Sequence, residues 1–259
     1  MLASAFEKGF VPADQINGIG TCKFDNPGGF PNPYRANNFS GPESGSVATL
    51  RSQTLASSNC AYLRLGLTVG LSNVAETTEA LGVTTDLSDL PISMPLGPKD
   101  ITPLEMATAY ATFANDGLYV DPIFIERVED SDGTVIFENT PASERAISVQ
   151  SARLVNQVLE ANVRGGTGTR ARLENQVAAG KTGTAEVDLK ADTSLFAAYG
   201  PVYRPGSAVA PDTVPEVALS VVMEESGFGS SSAAPVAAAI FEHLATATVP
   251  VARSLNNSA

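Results

Sequence analysis

The sequence predicts an α+β fold, an antiparallel sheet flanked by helices. Three apolar, strand-forming segments, residues 177–184, 194–199 and 217–224, follow one another with no crossover helix between them. That succession calls for antiparallel pairing, because parallel neighbours need a long crossover. Helical periodicities precede these segments and return after the last one. With 259 residues the chain can bury a sizeable core in one or two domains. A net charge of −12 excludes nucleic acid as a partner, because phosphate neutralisation needs clustered Lys and Arg. No run of about 18 apolar residues occurs, so no membrane span is expected in this stretch.

Residues 12–46 are rich in Gly, Pro, Asn and Asp, with Asn26-Pro27-Gly28-Gly29 and Pro31-Asn32-Pro33 as turn formers. A segment this long inside a domain reads as a packed or functional loop rather than a linker. Helices are expected at 47–56, 60–69 and 73–81, punctuated by Gly70 and Gly82. The clearest helix is 103–115. Thr102 caps it, Pro103 takes its first position, and Glu105 completes a capping box. Leu104, Ala107, Ala111 and Ala114 make one apolar face and Met106, Tyr110 and Phe113 another, which predicts a buried packing helix. Residues 122–130 and 134–138 read as a hairpin around Asp132-Gly133, with Glu126, Glu129, Asp130 and Asp132 as its solvated face. Ser148 starts a helix with Ala152, Leu154, Val155, Val158 and Leu159 inward, stopped by Arg164-Gly165-Gly166. After the three strands, with a Pro/Gly-rich excursion at 201–215, residues 227–232 lead into a last helix striped by Val236, Ile240 and Leu244. The domain is expected to span 1–249, with 250–259 a frayed tail.

The chemistry concentrates at Ala179-Gly180-Lys181-Thr182-Gly183-Thr184, which has two readings. A phosphate-binding loop needs a glycine five residues before Gly180, where this chain has Asn175, and an apolar helix afterwards, which is missing. That reading fails. The other is the Lys-Thr-Gly strand of serine acyl transfer, accompanied by a Ser-x-Asn element, here Ser57-Ser58-Asn59. Alone, Ser57 reads equally as a helix cap, and Lys181 as a solvated charge on an edge strand. Gly165-Gly166-Thr167-Gly168-Thr169 reads as a helix stop with a turn. His243 is the only histidine and lies in the final helix, far in sequence from every motif, and no Cys/His cluster exists, which argues against a Ser-His-Asp triad and a zinc site. Cys22 and Cys60 are compatible with one disulfide or with two separate buried thiols.

With Leu50-Arg51-Ser52-Gln53 leading into Ser57-Ser58-Asn59-Cys60-Ala61, with Ile101-Thr102-Pro103-Leu104-Glu105-Met106-Ala107 and Ala114-Asn115-Asp116-Gly117, and with Lys181-Thr182-Gly183-Thr184-Ala185-Glu186, the chain resembles the transpeptidase domain of penicillin-binding proteins. The resemblance places it in the serine D,D-transpeptidase and β-lactamase superfamily. It runs from Met1 to about Phe241. The middle resembles bifunctional members, and Leu195-Phe196-Ala197-Ala198-Tyr199-Gly200-Pro201 with Gly227-Phe228-Gly229 resembles monofunctional ones.

The resemblance implies an acyl-serine mechanism with no cofactor and no metal. Ser57 would relay a proton, and Asn59 would bind the acyl-side amide of the substrate. Lys181, Thr182 and Thr184 would hold the terminal carboxylate of a D-alanyl-D-alanine stem peptide or the acid group of a β-lactam. Gly183 would let the substrate backbone approach. The glycine-rich run 165–169 would border the groove. Implied partners are peptidoglycan stem peptides, β-lactams and other cell-wall synthesis proteins, at the extracytoplasmic face of the bacterial cytoplasmic membrane, with the anchor upstream. One departure stands out: no serine has a lysine three residues later, so the acylating Ser-x-x-Lys is absent. It is expected just before Met1, with the N-terminal part of the domain missing. Two further strands would then lie beside 217–224, and their loss would leave a poorly soluble, marginally folded product. The competing readings are a serine β-lactamase-like hydrolase and a non-catalytic interaction module.

Overall fold

The computed structural model describes residues 1–26, 29, 31–174, 176–202 and 215–246. In chain order, α1 (Leu2–Glu7) is followed by four three-residue strands, β1 (Gln15–Asn17), β2 (Cys22–Phe24), β3 (Tyr34–Ala36) and β4 (Val47–Thr49). Helices α2 (Leu50–Leu55), α3 (Asn59–Val69), α4 (Leu71–Ala80) and α5 (Pro103–Ala114) come next. Short strands β5 (Leu118–Val120), β6 (Arg127–Glu129), β7 (Val135–Glu138) and β8 (Ser143–Arg145) precede α6 (Val149–Gly165). The C-terminal part is β9 (Ala179–Ala185), β10 (Thr193–Gly200), β11 (Val217–Met223) and α7 (Ala233–Thr246). Most of the 201–215 excursion, the tail at 250–259 and the domain end at 249 lie outside the described residues.

The fold is α+β, and its main sheet is antiparallel in the order β11-β10-β9. Pleating sends alternate residues to opposite faces. Ala179 and Tyr199 join Val155, Val158 and Leu159 of α6, together with Leu2, Ala5 and Phe6 of α1, in the larger core. Ala178, Phe196 and Ala198 pack instead against Ala233, Ala234, Ala237 and Phe241 of α7. Gly180 shows how tight that second layer is. A Cβ there would stand 2.7 Å from Phe196 Cζ and 2.8 Å from Ala198 Cβ.

The capping box forms as expected: Thr102 Oγ1 accepts from Glu105 N at 3.2 Å, and Glu105 Oε2 accepts from Thr102 N at 2.9 Å. Glu105 also accepts from the backbone and hydroxyls of Thr84 and Thr85, fastening the 82–102 connection to α5. Those hydrogen bonds, first from Thr102, hold its carboxyl well below the usual range. Ser148 Oγ likewise caps α6 by accepting from Ser151 N.

Several expectations need correction. Residues 47–49 form a strand, not helix, because Val47, Ala48 and Thr49 pair with Asn17, Ile16 and Gln15. Helix α5 is only half-buried: Thr108, Ala109 and Thr112 face inward, whereas Leu104 is 49% exposed and Ala111 is exposed. The last helix also presents a different face. Val236 and Ile240 point outward, and its alanines lie on the sheet, since small side chains let the helix approach β10 and β11 closely. Segment 12–46, expected as irregular, contains β1, β2 and β3.

Among the described strands β11 pairs only with β10, so its second edge is free, and Val222 on it is 40% exposed. Unprotected edges invite strand addition between molecules. Val222→Lys is expected to lower light scattering of the purified chain at a fixed concentration. Equal scattering from both proteins would count against the edge as the cause.

Candidate active site

Two segments far apart in sequence meet beside β9, whose second edge pairs with no described strand. Lys181 Nζ donates to Ser57 Oγ at 2.8 Å, across a separation of 124 residues. The same amine donates to Thr182 O at 3.0 Å and Thr182 Oγ1 at 3.3 Å, and reaches Thr167 Oγ1 at 3.5 Å. Thr182 Oγ1 in turn donates to Thr167 Oγ1 at 2.7 Å. The side chain is half-buried as a whole, but its amine end is enclosed by these oxygens. Burial pushes its pKa down to about 8. Among the described residues, no carboxylate forms an ion pair with it.

Ser57 reaches Lys181 because of how α2 ends. Its φ of 52° is left-handed, uncommon for a residue with a side chain, and turns the chain sharply between α2 and α3. The capping role considered for Ser57 falls to Ser58, whose Oγ accepts from Ala61 N at 3.3 Å. The Ser57 hydroxyl is thereby left to Lys181.

Asn59 begins α3 and donates to Asn37 O at 2.9 Å; no hydrogen bond joins it to Lys181. Thr184 Oγ1 accepts from Gly229 N at 3.3 Å, and a Cβ on Gly183 would meet Leu195 Cβ at 3.1 Å. Gly229 is the tighter glycine, since its Cβ would collide with the backbone carbonyls of Gly183 and Leu195. Beside it, Phe228 meets Phe39 edge-to-face with ring centroids 5.0 Å apart. Loop 37–46 and loop 226–232 thus touch near the end of the Lys181 strand.

Three residues that sequence reasoning did not single out position the site. Thr167 completes the oxygen cage, and Thr167 N donates to Leu55 O at the end of α2. Only its place in the glycine-rich run 165–169 signalled it. Asn162 is fully buried, donating from Nδ2 to Gly180 O at 2.9 Å and accepting from Thr167 Oγ1 at 3.3 Å. Its spacing of seven from Val155 and four from Val158, an inward register with a polar residue, was the available clue. Asn38 accepts from Ser58 Oγ and Cys60 N, each at 3.1 Å, and donates to Gly18 O and Ser44 O. It fastens segment 12–46 to the Ser57 turn. Cys22 and Cys60 are bonded as a disulfide that makes the same connection covalently. Among the described residues no cluster of His, Cys, Asp or Glu could hold a metal ion, and no helix is long and apolar enough to cross a membrane.

Comparisons with known proteins agree with this architecture. Penicillin-binding protein A from M. tuberculosis, solved as a ceftriaxone acyl-enzyme complex, superposes with a TM-score of 0.76 at 22% identity, over 93% of this chain and 57% of that one. The D,D-transpeptidase domain of a peptidoglycan glycosyltransferase from Eggerthella lenta gives 0.73 at 23% identity, over 94% and 63%. Penicillin-binding protein 1A of Aquifex aeolicus is 36% identical over 149 residues, which is 58% of this chain and 20% of that protein. Penicillin-binding protein 2D of Bacillus subtilis is 28% identical over 193 residues, 71% of this chain and 27% of that protein. The chain therefore spans a minor part of the length of these curated relatives. The sequence model of the penicillin binding protein transpeptidase domain matches residues 1–242, and the chain belongs to that family.

Proposed function

We propose that the chain is the substrate-gripping and proton-relaying part of a peptidoglycan D,D-transpeptidase, which cross-links stem peptides through an acyl-serine intermediate and is blocked by β-lactams. The observation that carries this reading is the 2.8 Å approach of Lys181 Nζ to Ser57 Oγ. An ammonium caged by hydroxyls, with no carboxylate of its own, is suited to a substrate carboxylate. Thr182 and Thr184 add hydroxyls on the same strand, and Gly183 keeps the strand surface low. The edge of β9 left unpaired among the described residues can accept an extended peptide by strand addition. Ser57, bonded to the lysine, would pass a proton between base and leaving amine. Asn59, two residues on, would hold the acyl-side amide. The chain contains no Ser-x-x-Lys, so in this reading attack on the peptide is assigned to none of its residues.

The Cys22–Cys60 bond suits an oxidising compartment, in keeping with the extracytoplasmic face of a bacterial membrane and with cell-wall synthesis proteins as partners. A β-lactamase-like hydrolase would need a carboxylate to activate water. The partners of Lys181 and Ser57 are hydroxyls and a carbonyl, and Glu186 bears instead on the Tyr34 phenol, whose pKa is raised by burial and then by that carboxylate. A non-catalytic peptide-binding module is favoured by the absent Ser-x-x-Lys alone.

Titration of a fluorescent peptide ending in D-alanyl-D-alanine tests the grip. Lys181→Met is expected to weaken binding about 10- to 100-fold, the worth of one charge-assisted hydrogen bond. Affinity should fall as pH rises through about 8, where the amine loses its proton. Equal binding of the acid and its C-terminal amide would overturn the reading.

A further inference from the structure

We propose that Ser57 is itself a nucleophile with Lys181 as its base, and that the chain takes acyl groups from small activated esters onto the Ser57 hydroxyl. This goes beyond the peptide-gripping reading and does not depend on it. A serine nucleophile needs a base within hydrogen-bond reach, a hydroxyl free of structural duty and a sharp bend to carry it. Ser57 has all three. Its oxygen lies 2.8 Å from the amine, its neighbour Ser58 does the capping, and its left-handed backbone lifts it out of the chain between two helices. Strained serines on sharp turns are a recurring device for presenting a nucleophile.

The base is suitable for the same reason. The groups facing the Lys181 amine are the hydroxyls of Ser57, Thr167 and Thr182 and the Thr182 carbonyl, and across the sheet its strand partner is Ala197. None is charged. From α6 the nearest polar side chain in the network is Asn162, which is neutral. With nothing anionic to hold its proton, and with burial opposing the charge, the amine titrates at about 8. Roughly a tenth of the molecules are then neutral at pH 7. The edge of β9 that pairs with no described strand carries backbone N–H groups, the kind of donor that polarises a carbonyl.

The chemistry balances without a co-reactant other than water. Neutral Lys181 Nζ takes the proton of Ser57 Oγ as that oxygen bonds to the ester carbonyl carbon. The carbon–oxygen bond to the leaving group breaks, and the departing alkoxide receives the proton from Lys181. Water, deprotonated by the same amine, then bonds to the acyl carbon; the bond from that carbon to Ser57 Oγ breaks, the acid leaves, and Ser57 Oγ takes the proton back from Lys181.

Incubating the 259-residue chain with a biotinylated fluorophosphonate traps the first step: a P–O bond forms at serine, P–F breaks, and fluoride leaves. Peptide mapping of the wild-type chain is expected to find one adduct, on Ser57. Its rate should rise with pH and level off above about 8. Lys181→Arg, which keeps a cation that cannot deprotonate, should slow labelling about 100-fold or more, and Ser57→Ala should abolish it. No adduct, an adduct on another serine, a pH-independent rate or undiminished labelling of Lys181→Arg would each overturn the proposal. Absent labelling with intact capture of the D-alanyl-D-alanine peptide overturns it alone; labelled Ser57 with no capture overturns only the peptide reading.

Discussion

Reducing the Cys22–Cys60 bridge is expected to lower the melting temperature of the chain by about 8–16 °C. The bond closes a loop with a sequence separation of 38. Chain entropy for a loop of that length gives about 4 kcal/mol of stabilisation. For a domain of this size each kcal/mol moves the midpoint by about 2–4 °C. Both cysteines are buried, beside Leu63 and against Phe24, Tyr34 and Ala36, in a cluster separate from the two main cores. That small cluster has little apolar area to replace the bond. Cys22→Ala with Cys60→Ala should therefore melt near the reduced wild type, as followed by circular dichroism. The loss should reach the site, because Cys60 follows Asn59 directly and Asn38 grips both Ser58 and Cys60. An unchanged midpoint after complete reduction, verified by thiol titration, would contradict this account.

The same segment shows where sequence reasoning stops. Helices α5 and α6 and strands β9 to β11 were legible because each is long enough to display a period and carries its own end signals, Thr102 with Glu105 and Ser148 among them. Strands of three residues have no period to display. The pairing of Ile16 with Ala48 is set instead by long-range contacts, in which Gln53 Nε2 donates to both Ile16 O and Ser46 O. The face of α7 is hidden from a periodicity reading because alanine is weakly apolar, although Ala233, Ala234 and Ala237 are what the sheet contacts.

At the site, the motif residues Ser57 and Lys181 were identifiable because their chemistry resides in their own side chains. Asn59 is found two residues from Ser57 but hydrogen-bonded away from the amine. Thr167, Asn162 and Asn38 act on carbonyls and hydroxyls that become neighbours only in the folded chain. A buried asparagine looks the same in sequence as one in a surface turn.

Asn162→Leu is accordingly expected to cost about 2–4 kcal/mol and to weaken peptide capture as well. The amide is fully buried, and replacing it leaves the Gly180 carbonyl without its partner in a place water cannot reach. That orphan accounts for about 1–3 kcal/mol. The branched side chain adds strain, because Gly166 already lies against Asn162 Oδ1. The Thr167 hydroxyl loses its inner acceptor and keeps its contacts with Thr182 and Lys181. The effect on binding should therefore pass through Thr167. In a double-mutant cycle with Thr167→Val, the losses in peptide affinity should fall short of additive by at least about 0.5 kcal/mol. Strictly additive losses, or destabilisation with unchanged affinity, would make Asn162 a packing residue with no hold on the lysine cage.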